Sequence, residues 1–221
     1  MERKTNGLFI TLEGVEGAGK STAIQFLKAY FDQLHLPYII TREPGGTEIA
    51  EAIRKTVLGH YSEKMAADTE LLLMFASRAQ HIATKIRPAL DSGKIVISDR
   101  FTDATYAYQG GGRRMGLDRI AVLESWVQQD LQPDLTFLLD IPVEIGMQRI
   151  LSRGEIDRIE AEKKSFFNRV RDNYLKRAQQ FPDRFKVVQA AKSIEQVQHS
   201  LQEIITAFLL AHGYIDKETC P

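Results

Sequence analysis

Short, nearly unbroken runs of apolar and β-branched residues recur along the chain, and longer stretches with apolar residues three or four positions apart fill the intervals. The short runs predict strands at Leu8–Leu12, Tyr38–Thr41, Ile95–Ser98, Leu135–Asp140 and Phe185–Val188. The longer pattern predicts helices near 20–34, 46–58, 68–90, 117–130, 143–151, 165–180 and 194–211. Strands that alternate with helices build βαβ units, and these strands show little inside–outside alternation because helices cover both faces of the sheet. The expected fold is therefore α/β, a three-layer αβα sandwich around a five-stranded parallel sheet. No repeat or Pro/Gly/Ser-rich linker divides the 221 residues, so residues 1–221 are expected to form a single domain.

Two segments break the pattern. Tyr108–Gly116 (YQGGGRRMG) carries three successive glycines and is expected to be an irregular turn. Ser152–Lys164 (SRGEIDRIEAEKK) is densely charged and almost without large apolar residues, so it is not expected to bury a face. Composition alone makes it a solvated surface; its irregularity makes it, with the glycine segment, a candidate for a loop that acts on a ligand.

Charge and cysteine content narrow the function classes. Lysine plus arginine equals aspartate plus glutamate at 29 each, so the basic excess of a nucleic-acid binder is missing and no nucleic-acid partner is expected. Cys220 is the single cysteine, which excludes an internal disulfide and a CxxC metal clip, and the five histidines form no HExxH pair. The apolar run Leu8–Leu12 is too short for a signal-peptide core, and no later run approaches a membrane span. A cytoplasmic protein without a membrane partner is expected.

The first strand runs into GVEGAGKS, residues 14–21, which satisfies the phosphate-loop pattern GxxxxGK(S/T) between a strand and a helix. Gly14, Gly17 and Gly19 permit backbone conformations in which N–H groups converge on phosphate oxygens, with Val15, Glu16, Ala18 and Thr22 completing the loop. Lys20 is placed to reach the β- and γ-phosphates, and the Ser21 hydroxyl to ligate Mg²⁺. A glycine-rich βα turn that holds nothing is the alternative. The pattern points to a P-loop NTPase and a nucleoside triphosphate, without choosing among switches, motors and small-molecule kinases.

The third strand ends in Ser98-Asp99-Arg100-Phe101. An acid at the carboxyl end of a buried parallel strand faces the crevice where open α/β sheets bind ligands, where it can hold Mg²⁺ or its water shell. Arg100 beside it suits a second phosphate, because its planar fork grips oxygens in pairs. A structural ion pair is the other reading of these two residues.

With these residues in view, the sequence closely resembles the thymidylate kinase family from about Leu8 to Val188. The stretches that carry the likeness are LEGVEGAGKST, TREPGGTEIAEAIR, LLLMFASRAQH, SDRFTDATYAYQGGGR and SRGEIDRIE. The resemblance implies phosphorylation of dTMP to dTDP with ATP and Mg²⁺, on the route to dTTP, by a cytoplasmic homodimer. It implies Arg100 on the dTMP phosphate, Glu43 and Arg54 lining the same pocket, and Arg78 on thymine O4. Thr105 and Gln109 would lie along the base edge, and Tyr108 over the 2′ carbon of the sugar. Residues 150–164 correspond to the mobile lid, with Arg153 and Arg158 as candidate catalytic arginines and Arg149 stacking on adenine. An acidic P-loop with a lid arginine marks the bacterial type, in which Glu16 meets the sugar hydroxyl or a metal-bound water. One departure stands out. The family often has an aromatic residue four positions before the base-reading arginine, but Met74 occupies that place here, and the adjacent Phe75 is expected to supply the aromatic surface unless both are core. The alternatives are a kinase for another deoxynucleoside monophosphate and a regulatory nucleotide switch; no NKxD-like guanine motif supports the switch. The helix 68–90 is either dimer interface or core.

Overall fold

The apolar runs pair into one sheet. In the computed structural model, which describes residues 7–152 and 156–216, the strands are β1 (Leu8–Glu13), β2 (Tyr38–Arg42), β3 (Ile95–Asp99), β4 (Leu135–Asp140) and β5 (Phe185–Gln189). They are all parallel, in the order β2-β3-β1-β4-β5. Every residue of β1 and β4 is buried. Leu12 sits beside Asp99 of β3 and Phe137 of β4. Central β1 therefore opens at its carboxyl end between two neighbours reached by separate crossovers, the switch point where such sheets bind ligands.

Nine α-helices among the described residues surround the sheet: α1 (Lys20–Gln33), α2 (Glu48–Leu58), α3 (Ala67–His81), α4 (Arg87–Asp91), α5 (Thr102–Thr105), α6 (Leu117–Gln128), α7 (Val143–Leu151), α8 (Lys164–Gln180) and α9 (Ile194–Ala211). Leu8, Ile10 and Leu12 of β1 share a core with Leu27 and Phe31 of α1 and Leu201 and Ile205 of α9. Phe9, pointing the other way, joins Ile82, Ile86 and Phe101. This period-two division gives the three layers.

Two expected elements differ. The helix expected over 68–90 is interrupted by a π-helical turn, Ile82–Ile86, between α3 and α4. The irregular turn expected over Tyr108–Gly116 is instead largely a buried π-helix, Tyr106–Gly112. Its glycines serve close approach to α8: a Cβ on Gly111 would lie 2.3 Å from the Asn173 amide, and one on Gly112 2.4 Å from the Phe166 ring. Arg169 of α8 then donates to the Gly112 carbonyl at 2.8 Å. The charged segment also departs from expectation, since Ile159 is buried in the main core and fastens it to the body.

Candidate active site

The phosphate loop emerges from β1 with Gly14, Gly17 and Gly19 all at positive φ (145°, 73° and 92°). Val15 and Ala18 turn their side chains into the core, which leaves their backbone to line the loop. A Cβ on Gly17 would meet the Gly146 carbonyl of α7 at 2.3 Å, and a Cβ on Gly146 would meet the Glu16 carbonyl at 2.5 Å. Lys20 opens α1, its ammonium 3.3 Å from the carbonyls of Gly14 and Val15. Burial, and then the Arg100 charge, lower its pKa against the pull of Glu16, Asp99 and Glu13. Ser21 and Thr22 are exposed on the cavity wall. Arg149 reaches back from α7 to donate to the Gly17 carbonyl at 3.1 Å.

Across from the loop, β3 ends in a tight corner. Arg100 has φ 70°, a conformation most side chains avoid. Three hydrogen bonds hold it there: its N–H donates to Leu12 (3.0 Å), Ser98 Oγ donates to its carbonyl (2.7 Å), and the next N–H, of Phe101, donates to Glu13 Oε1 (2.8 Å). The guanidinium Nη2 then donates to Glu16 Oε1 (2.7 Å) and the Tyr108 hydroxyl (2.7 Å). Glu16 is thus a counterion of Arg100, which accounts for an acid in an anion-attracting loop. Asp99 Oδ1 is buried without a hydrogen-bond partner.

The far end of the cavity is built from α3, the loop after β2, Arg54 and Leu58 of α2, and the π-helix. Arg78 Nε donates to Glu43 Oε2 at 2.7 Å and Nη2 to Thr105 Oγ1 at 3.0 Å, while Nη1 is buried with no partner. Glu43 therefore holds Arg78 rather than presenting a free carboxylate. Arg54 donates to the Pro44 carbonyl at 2.9 Å and also faces the cavity. Met74 lines the wall one turn from Arg78. Phe75 does not: a step of about 100° round the helix turns it into a separate cluster with Leu71, Tyr106 and Ile120. The expectation that Phe75 supplies the aromatic lining is corrected accordingly. Its contact with the site is indirect, with the Arg78 guanidinium carbon 4.8 Å from its ring centre.

One cavity of 690 Å³ runs from Ser21 and Arg149 past Asp99 and Arg100 to Met74, Arg78 and Gln109. Its lining joins the phosphate loop, the end of β3 and the wall of α3 in a single continuous space.

The thymidylate kinase family model matches residues 12–201. The chain is 54% identical to the thymidylate kinase of Vesicomyosocius okutanii, over 91% of this chain and 98% of that one. Against the thymidylate kinase of Pseudomonas putida the identity is 55%, over 92% and 97%. The crystal structure of thymidylate kinase from Ehrlichia chaffeensis superposes with a TM-score of 0.74 at 31% identity, covering 91% of this chain and 99% of that chain. The chain belongs to the thymidylate kinase family.

The segment expected to be a lid carries two candidate arginines. Arg153 lies outside the described residues. Arg158 is held by α2 and α3, donating from Nε to the Val57 carbonyl at 2.9 Å and from Nη2 to Glu70 Oε2 at 2.8 Å. Glu70 is a buried hub: it also accepts from Gln109 Nε2 (2.8 Å) and twice from Arg113 (3.1 Å each), and Arg113 pairs with Glu162 of the charged segment. Glu70, Arg113 and Glu13 were not among the residues expected from sequence. The available signals were an acid heading the apolar run LLLMF, the arginine that ends YQGGGR, and an acid on a buried strand directly before the phosphate loop.

Glu13 makes a pH prediction possible. Burial, then the Asp103 charge, push its pKa up to about 8, against the opposing Tyr174 hydroxyl, Arg100 charge and Phe101 N–H. A folded-state value above the unfolded one means that the native state binds the extra proton. Stability from this group is full below about pH 4.5 and is lost as pH rises toward 8. Denaturant titrations of Glu13→Gln should show a shallower fall in stability between pH 4.5 and about 8 than wild type shows; parallel curves would contradict the assignment.

Proposed function

We infer that this chain transfers the γ-phosphoryl group of ATP to dTMP, giving dTDP for dTTP synthesis. The observation that carries the reading is the state of Arg78: Nε and Nη2 are engaged inside the protein, and Nη1 is buried with no partner, a donor that a base carbonyl would satisfy. Thymine O4 meets that demand.

Phosphoryl transfer runs through a loose transition state, so the protein's work is alignment and charge. Lys20 and the loop N–H groups hold the ATP phosphates, with Arg149 on adenine. Arg100 holds the dTMP phosphate in line, restrained by Glu16 and Tyr108. Mg²⁺, when bound, neutralises phosphate charge; the Ser21 hydroxyl and Asp99 would hold it, and a buried carboxylate oxygen with no partner suits a cation. Arg153 is the lid arginine assigned to the transferring group; Arg158, engaged by Glu70, acts there only if closure releases it. Thr105 and Gln109 flank the base, Tyr108 crowds the 2′ position, and Arg54 serves the acceptor pocket. The monophosphate is already largely ionised near neutral pH, so no general base is required.

The test is a panel of nucleoside monophosphates with ATP. Preferred turnover of dTMP is expected; preference for another deoxynucleotide, or slow hydrolysis with no transfer, would favour the rival kinase or switch.

The enzyme works as a homodimer in the cytoplasm. No helix among the described residues is long and apolar enough to cross a membrane. Val122 and Trp126, one turn apart on α6, are 67% and 78% exposed, and Leu72 on α3 is 56% exposed. The Asp68–Arg119 ion pair joins those two helices. A formal net charge of zero sets up no overall repulsion between copies. Sedimentation should show a dimer that Trp126→Arg converts to monomer; a monomeric wild type would overturn the pairing.

A further inference from the structure

We propose that His81 is a positioning residue for base selection, acting by keeping Glu43 to a one-point contact with Arg78. The inference rests on the reading of the cavity as a dTMP site. His81 is completely buried at the end of α3. Its Nδ1 lies 3.0 Å from Glu43 Oε1, and its Nε2 lies 2.6 Å from Thr41 Oγ1. Gly46 closes over the pair: a Cβ there would stand 2.6 Å from Nε2 and 2.5 Å from the Thr41 oxygen. The imidazole therefore has one place to sit, and from it Nδ1 donates to Glu43.

The consequence falls on Arg78. An arginine and a carboxylate side by side prefer two parallel hydrogen bonds. Here Glu43 gives Arg78 only Oε2, because Oε1 belongs to His81. Nη2 is left for Thr105, the rings of Phe75 and Phe101 flank the guanidinium, and Nη1 is buried without a partner, the donor this proposal gives to the base. Without His81, Oε1 is released to take a second N–H of Arg78, which turns the fork from Thr105 and from the base edge. Guanidinium can only donate, so a well-aimed Arg78 favours a base with a carbonyl at position 4 over one with an amine. His81 thus bears on the choice of dTMP over dCMP, and not on the choice of dTMP over dUMP, which keeps the carbonyl.

The test measures kcat/KM for dTMP, dUMP and dCMP in His81→Leu, His81→Asn and His81→Gln. An asparagine amide nitrogen falls near the place of Nδ1, whereas that of glutamine falls near Nε2. His81→Leu and His81→Gln are expected to reduce the dTMP-over-dCMP ratio about tenfold or more, with the dTMP-over-dUMP ratio and the KM for ATP within about twofold of wild type. His81→Asn is expected to restore most of the lost preference. An unchanged dTMP-over-dCMP ratio in the leucine variant overturns the proposal, as does equal behaviour of the asparagine and glutamine variants, a comparison that stands even if leucine prevents folding. A wild-type enzyme that does not prefer dTMP over dCMP would instead sink the functional reading itself.

Discussion

Arg100→Ala and Arg100→Gly are both expected to lower kcat/KM for dTMP by about 10³, on the scale of a lost transition-state donor in phosphoryl transfer, while the glycine variant is the more stable of the two. Both lose the guanidinium that Glu16 and Tyr108 hold. They differ in the backbone. At φ 70°, alanine keeps a left-handed conformation that costs roughly 1–2 kcal/mol, and glycine is free of it. Glycine's larger loss of chain entropy offsets roughly 0.5–1 kcal/mol of that gain. Chemical denaturation should therefore place the glycine variant above alanine by about 0.5–1 kcal/mol at equal residual activity. Equal stability would mean that the corner at Arg100 relaxes once the side chain is gone, and activity near wild type would remove Arg100 from phosphate alignment.

Glu70→Ala should be the most destabilising of the substitutions considered. It leaves Arg113 and Arg158, both less than one-fifth exposed, without the carboxylate they share. Removing one partner from a buried pair costs about 3–5 kcal/mol, although Glu162 still accompanies Arg113. For a chain of this size that corresponds to a fall in melting temperature of roughly 10 °C. Burial alone would raise the Glu70 pKa, but Arg113, by hydrogen bond and charge, together with Gln109 and Arg158, outweighs it and leaves the pKa lowered. A depressed folded value gives stability that is present above the unfolded value and lost as the pH falls through the folded one. Wild type should therefore lose stability in acid more steeply than Glu70→Ala, and Glu70→Gln, which retains hydrogen-bonding capacity, should lie between them at neutral pH. A Glu70→Ala protein with wild-type melting would show that the hub carries no net stability.

The sheet was legible because its five strands are mostly apolar or β-branched and bounded by polar turns, and the phosphate loop because its spacing is dictated by one anion. The π-helix was not. Three glycines read as a turn when only backbone freedom is considered, whereas Gly111 and Gly112 are required by Asn173 and Phe166, some sixty positions away. The same limit explains Phe75: local spacing cannot say which of two adjacent residues faces a cavity and which faces α6. It explains Glu70 as well, since a single acid in an apolar run acquires meaning only when Gln109, Arg113 and Arg158 converge on it from elsewhere in the chain.

The contact between Gly17 and Gly146 has a consequence for how this enzyme can vary. Each glycine is excluded from becoming anything larger by the backbone at the other, and Gly17 is confined further by its positive φ. A change at Gly146 could not license one at Gly17, because the backbone strain would remain. The two positions form a mutational dead end with no compensating step, and descendants of this chain can explore new specificities at the base end of the cavity while the junction of loop and α7 stays as it is.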